Sequence, residues 1–199
     1  VVAAVIRGAK AETMVLLGIG LVFFFQAMLA LIQYQSSAEA LQQIVFWSMG
    51  SLTRANWAAN GVLAAVLIIA LPILWALGWR LTALRLGDAR ATAMGVNTSR
   101  LRIVVLIVVS LVAATTVAFA GIIGFIGLVG PHIARMLVGE DQRYFLPASM
   151  AAGAAVMCAA HAVSLMIKPG LAIPIGIVTS LLGVPFFIAI VMTRRRALW

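Results

Sequence analysis

Charge is what this chain has least of. Asp, Glu, Lys and Arg make up 10% of its 199 residues, hydrophobic residues make up 64%, and the mean hydropathy is +1.16. So little polar surface cannot cover a water-soluble globule of this size, which leaves an integral membrane protein. Five acidic residues, two histidines and one cysteine show no nucleophile–base or metal constellation, so a membrane enzyme finds no support. The lone Cys158 excludes an intramolecular disulfide framework and carries no message about redox compartment. No GxxxxGK[ST] phosphate-binding motif occurs, so any ATP hydrolysis would belong to a partner. The net charge of +9 does not point to nucleic acid, because the basic residues form short clusters between apolar runs and not one continuous face.

The apolar runs divide the chain into spans. A helix needs about 20 apolar residues to cross the hydrocarbon, and Met14 to Tyr34 is the first run that suffices, interrupted only by Gln26 and Gln33. An amide at mid-span, as Gln26 is, needs a partner on a neighbouring helix or in a water-filled path. Residues 35 to 60 turn polar and mixed, with Trp47 and Trp57 suited to an interfacial belt, and are expected at the membrane surface. Further spans are expected over Gly61 to Gly78, Ile103 to Ala120, the run from Gly121 to Met136, Pro147 to Ile167 and Ala172 to Met192. The fold expected is all-α: a polytopic membrane protein with six complete transmembrane helices, a short surface helix and a short helix in a cytoplasmic loop. Residues 1–199 read as one transmembrane domain. The opening Val1-Val2-Ala3-Ala4-Val5-Ile6-Arg7 resembles the end of a helix whose beginning is missing, so the chain is expected to be the C-terminal part of a longer protein.

Six spans put both ends on one side, and the charges test that independently. Arg7, Lys10, Arg80, Arg85, Arg90, Arg100, Arg102, Arg135, Arg143, Arg194, Arg195 and Arg196 fall on the side of the ends, with Arg54 and Lys168 opposite. Twelve against two is a strong positive-inside pattern, so the ends and the loop of residues 80–102 are expected in the cytoplasm.

That loop is the longest polar interruption in the chain, yet it is not a disordered linker. Leu81, Leu84, Leu86, Ala89, Ala93, Met94 and Val96 recur among its arginines at roughly helical spacing. Gly87 can turn the chain, Asp88 can cap a helix over Ala89 to Met94, Gly95 suits the left-handed residue that ends a helix, and Thr98 or Ser99 can cap the next. A structured, basic, partly apolar loop of this kind fits docking on another protein and fits lying on anionic lipid headgroups.

Glycines at Gly121, Gly124, Gly127 and Gly130 recur every third residue, followed by Pro131, which removes a backbone donor. The pattern predicts broken or closely packed backbone that lets another helix approach. His132, alone among carboxylate-free neighbours, reads as a packed, hydrogen-bonded histidine, and Cys158 with His161 as packing residues on one helix face.

Leu86-Gly87-Asp88-Ala89 with Gly95-Val96-Asn97, the run from Gly121 to Arg135, and Pro174-Ile175-Gly176 with Gly183-Val184-Pro185-Phe186-Phe187 resemble the FecCD-type permeases. These are the membrane subunits of ABC importers for ferric siderophores, haem and cobalamin, and the resemblance runs from Lys10-Ala11-Glu12-Thr13 onward. It implies a homodimer with a central path, two cytoplasmic ATP-binding subunits that hold ATP and Mg, and an extracytoplasmic substrate-binding protein. It makes Leu86, Gly87, Asp88, Ala89, Ala93, Met94 and Gly95 the ATPase-coupling loop, puts Thr13 and Gln26 on the translocation path, and makes Leu41 to Leu52 a short helix at the outer gate. Arg54 and Lys168 become the contact for the binding protein. Where the family often carries an aspartate and, three residues on, an arginine for that contact, this chain has His161 and Ser164. An ion- or proton-coupled carrier is the alternative, but such carriers place ionisable groups inside their spans, and the span cores here have none.

Overall fold

The computed structural model describes residues 11–167 and 173–195, with side chains from 15 onward except those of 189–191 and 193–195. Nine helices follow one another among these residues: α1 (Ala11–Gln35), α2 (Ala38–Ser48), α3 (Trp57–Ala76), α4 (Gly78–Leu84), α5 (Asp88–Ala93), α6 (Thr98–Ala120), α7 (Ile126–Val138), α8 (Gln142–Ile167) and α9 (Ile175–Arg195). Helix is the outcome that lipid demands, because each backbone donor and acceptor is then satisfied within its own segment.

Four of the helices, α1, α3, α6 and α8, are long and apolar enough to cross a membrane. The expectation of six complete helical spans is thereby corrected at the glycine run. α7 has 13 residues and covers about 20 Å, too little for a hydrocarbon core of about 30 Å. Residues 121–125 ahead of it are not helical. Gly121 caps the end of α6 at φ 78°, and Phe125 opens α7 in the left-handed conformation at φ 66°. Five such residues add at most about 16 Å to residues 121–138, and less here because the chain turns where the Ile126 N–H donates to the Gly124 carbonyl at 2.9 Å. Contacts fix the two ends of this segment at opposite ends of the molecule. The Ser51 N–H donates to the Ala120 carbonyl at 2.8 Å beside the start of α3, whereas Glu140 meets Arg85 just beyond its far end.

Two small cores hold these ends. At the end carrying α4 and α5, Ala83, Ala91, Val96 and Leu101 are buried together, with Leu77, Leu81, Leu84 and Val105 packed around them. At the other end Ala160, Ile175 and Val178 pack with Leu52, Ile123, Met157 and Ile173. Between them α7 lies along α8, its most extensive partner, with Gly130 facing Gly153. α1 stands apart: every described residue from Val15 to Gln35 is exposed except the half-buried Gln33.

Candidate functional site

The loop after α3 is built to present one short helix. α4 ends at Leu84 with Arg85 as its C-cap, and the chain turns at Gly87, whose φ of 98° and ψ of 156° suit glycine alone. α5 follows and closes in a complete Schellman motif: the Val96 N–H donates to the Ala91 carbonyl at 3.0 Å and the Gly95 N–H to the Thr92 carbonyl at 2.9 Å, with Gly95 at φ 80°. The apolar contact that accompanies this motif is present too, since Ala91 and Val96 are both buried in the loop-end core.

The capping differs from expectation in two places. Gly87, not Asp88, is the N-cap, because its backbone turns one residue earlier and leaves Asp88 inside the first turn. The Asp88 carboxylate instead takes a hydrogen bond from Arg102 on α6 at 2.7 Å, which ties the start of α5 to the next helix and sets a negative charge at a helix N-terminus. Asn97, rather than Thr98 or Ser99, caps α6, its side chain accepting from the Arg100 N–H at 3.0 Å.

With Ala91 turned inward, the outward face of the loop carries Leu86, Ala89, Ala93 and Met94, all exposed, with Gly87 and Gly95 on either side of α5. The structure therefore gathers the seven loop residues into one small-residue knob. Sequence reasoning placed Val96 among the loop's apolar residues but missed Ala91, with which it anchors the helix. A valine directly after a helix-ending glycine was the available signal.

A second constellation forms at the opposite end. The Ile175 N–H donates to the Gly50 carbonyl at 3.2 Å and the Gly176 N–H to the Met49 carbonyl at 3.0 Å, so the last carbonyls after α2 satisfy the first donors of α9. Three glycines permit this approach. A Cβ on Gly121 would lie 2.8 Å from the Gly50 Cα, one on Gly50 2.9 Å from the Ile122 carbonyl oxygen, and one on Gly176 would overlap the Met49 carbonyl. Beside the junction opens a cleft of about 480 Å³, lined by Ser48, Met49, Ile122, Gly124, Gly176 and Ser180. A neighbouring cleft of about 280 Å³ includes Trp47, Ser51, Arg54, Asn56 and Asn60, and Arg54 donates to the Trp47 carbonyl at 3.4 Å.

The glycines of the period-three run do not share one helix face, because the helix begins only at Ile126. Gly121 belongs to the junction and Gly124 to the cleft, while Gly130 alone meets a neighbouring helix closely, 3.1 Å from Gly153 Cα for an added Cβ, and Gly127 meets nothing within 4 Å. Pro131 lies inside α7. Gln26 is exposed on α1 and lines neither cleft, and Thr13 falls in the first turn of α1 with its side chain outside the described residues. Lys168 also lies outside the described residues. Cys158 is exposed on this chain, whereas His161 is half-buried. His132 meets the edge of Phe186, with ring centres 5.7 Å apart. Ser164 is buried and donates to the Ile173 carbonyl, so it joins α8 to the lead-in of α9 and is not on the surface where an arginine could receive a partner. Among the described residues no group of three or more His, Cys, Asp or Glu side chains could hold a metal ion.

This arrangement has close counterparts. The chain is 38% identical over 189 residues to an ABC transporter permease protein of Methanocaldococcus jannaschii, covering 95% of this chain and 54% of that protein. It is 36% identical over 183 residues to the hemin transport system permease protein of Yersinia pestis, covering 92% of this chain and 54% of that one. A solved metal-chelate type ABC transporter in an inward-facing conformation superposes with a TM-score of 0.88 at 36% identity, covering 92% of this chain and 60% of that one. The chain thus spans about half the length of the curated relatives it matches. With the FecCD transport family matched over residues 1–193, the chain belongs to that family.

Proposed function

We propose that the chain forms part of the permease subunit of an ATP-binding-cassette importer that moves an iron-siderophore, haem or cobalamin-type chelate into the cytoplasm. It performs no chemistry itself: ATP and Mg bind on two partner ATP-binding subunits, a second permease copy completes the path, and a substrate-binding protein delivers cargo to the outer face. Membership of the family supports this reading, as do the relatives that are hemin and metal-chelate transport proteins.

The observation that carries it is the α5 knob. A six-residue helix held between two left-handed glycines, with Ala91 and Val96 anchoring it and Ala89, Ala93 and Met94 facing out, is a rigid projection whose small side chains let a partner backbone come close. A loop that merely rested on lipid would need its arginines and would tolerate bulk at Ala89 or Ala93. With this knob in the cytoplasm, as the twelve-to-two charge pattern favours, residues 121–138 make the fourth crossing and α9 the sixth, both ends lie inside, and Arg54 and Lys168 face the binding protein.

The test is ATPase co-purification with a full-length permease carrying this chain. Ala93→Trp and Gly95→Val should insert normally but lose ATPase co-purification and transport-stimulated hydrolysis. In the second variant a branched side chain at φ 80° costs about 1–2 kcal/mol on top of any lost contact. Normal co-purification and stimulation in both variants would exclude the knob as the coupling element.

A further inference from the structure

The turn between α7 and α8 is tied to the loop end more firmly than sequence distance suggests. Glu140 receives Arg85 Nη2 at 2.6 Å on its carboxylate, and its backbone carbonyl accepts from Arg85 Nη1 at 3.2 Å. The other carboxylate oxygen lies 3.5 Å from Arg135 Nε on the last turn of α7. Two residues on, the Gln142 N–H at the start of α8 donates to Thr82 Oγ1 on α4 at 3.4 Å. One carboxylate therefore joins the end of α4, two residues ahead of Gly87, to the end of α7. The pairs are exposed, with side chains 37% to 54% accessible, so they contribute little to stability and their placement needs another reason.

The geometry supplies one. α7 is a short rigid rod gripped at one end through Arg135 and Glu140 and at the other joined to the junction of α2 and α9 through the non-helical residues 121–125. Gly121 and Gly124 lie in that connection, which is where a change in backbone angle is absorbed most readily. We propose that Glu140 is a positioning residue which, through Arg85, passes displacement of the α4–α5 loop to α7 and so to the cleft beside Gly176. This rests on the reading of α5 as the ATPase-coupling element.

The experiment uses the full-length permease reconstituted with its ATPase and binding protein, with hemin, a ferric siderophore and cobalamin supplied in turn as cargo. Glu140→Gln keeps the shape and removes the charge. It should leave ATPase co-purification and the thermal midpoint unchanged while uptake per ATP hydrolysed falls by about threefold or more, the size such pair couplings reach. A merely structural role would lower the yield and midpoint and leave uptake per ATP as it was. Arg85→Gln should show the same loss, the double variant no more than either single one, and Arg85→Lys a partial recovery. Unchanged uptake per ATP in Glu140→Gln, or fully additive losses in the double variant, overturns the proposal. Normal ATPase co-purification and stimulation in both Ala93→Trp and Gly95→Val overturns the underlying reading of α5, and the tie with it.

Discussion

Gly127 and Gly130 stand three residues apart in one glycine run, and their surroundings differ completely. An added Cβ at Gly130 would lie 3.1 Å from the Gly153 Cα and N and from the Ser149 carbonyl, all backbone atoms that cannot swing aside. At Gly127 nothing lies within 4 Å. Gly130→Ala is therefore expected to cost about 1–3 kcal/mol through overpacking. Gly127→Ala should be neutral or stabilise by about 0.5–1 kcal/mol, since alanine loses less backbone entropy in a helix. Thermal midpoints of the two variants in detergent check this, and equal midpoints would show that α7 and α8 do not approach as described. The sequence marks both glycines as special but carries no signal for which one meets a neighbour, because that depends on where the helix begins. At Gly95 the position was legible: a glycine flanked by a helical pattern and followed by Val96 has few uses other than ending a helix, and the structure uses it so.

At the scale of elements, local pattern was a good guide to the long helices and a poor one to the broken segment. The apolar runs of α3, α6 and α8 are long enough to be read directly, and the polar loop yields α5, though not α4, through its glycines. A continuous apolar run from Gly121 to Met136 looks the same whether it is one helix or an extended stretch followed by a short one. The choice is made by distant residues, Trp47 to Ser51 and Ile175 to Gly176, with which the non-helical part shares its backbone contacts. That dependence is measurable. Gly176→Ala would place a methyl group on the Met49 carbonyl and 3.1 Å from that of Ile122, parting α9 from the residues that follow α2. Amide hydrogen exchange over Ala38–Ser48 should then speed up by about tenfold, corresponding to about 1.4 kcal/mol easier local opening. Gly18→Ala on α1, where an added Cβ meets nothing, should leave those amides unchanged. Unaltered exchange in Gly176→Ala would mean that the junction does not hold α2.

The molecule as a whole has a knob of small residues at one end, a glycine junction with a cleft at the other, and a rod, α7, running between them. Its family was legible from the motifs, and its membrane character from the scarcity of charge. The cleft was not, because Ser48, Gly124, Gly176 and Ser180 come from three separate stretches of chain, and only the folded backbone brings them together. Gln26 is an amide in an apolar helix, exposed on α1 and lining neither cleft among the described residues. The central claim is that ATP hydrolysed by a partner, and not an ion gradient, drives transport through these helices. The most direct measurement is cargo uptake into proteoliposomes that hold the full-length permease and its ATPase, with the binding protein outside and the proton and ion gradients collapsed by ionophores. The account predicts that uptake of hemin, a ferric siderophore or cobalamin persists under these conditions and stops when ATP is withheld. Uptake that survives without ATP or the ATPase and vanishes when the gradients are collapsed would contradict it.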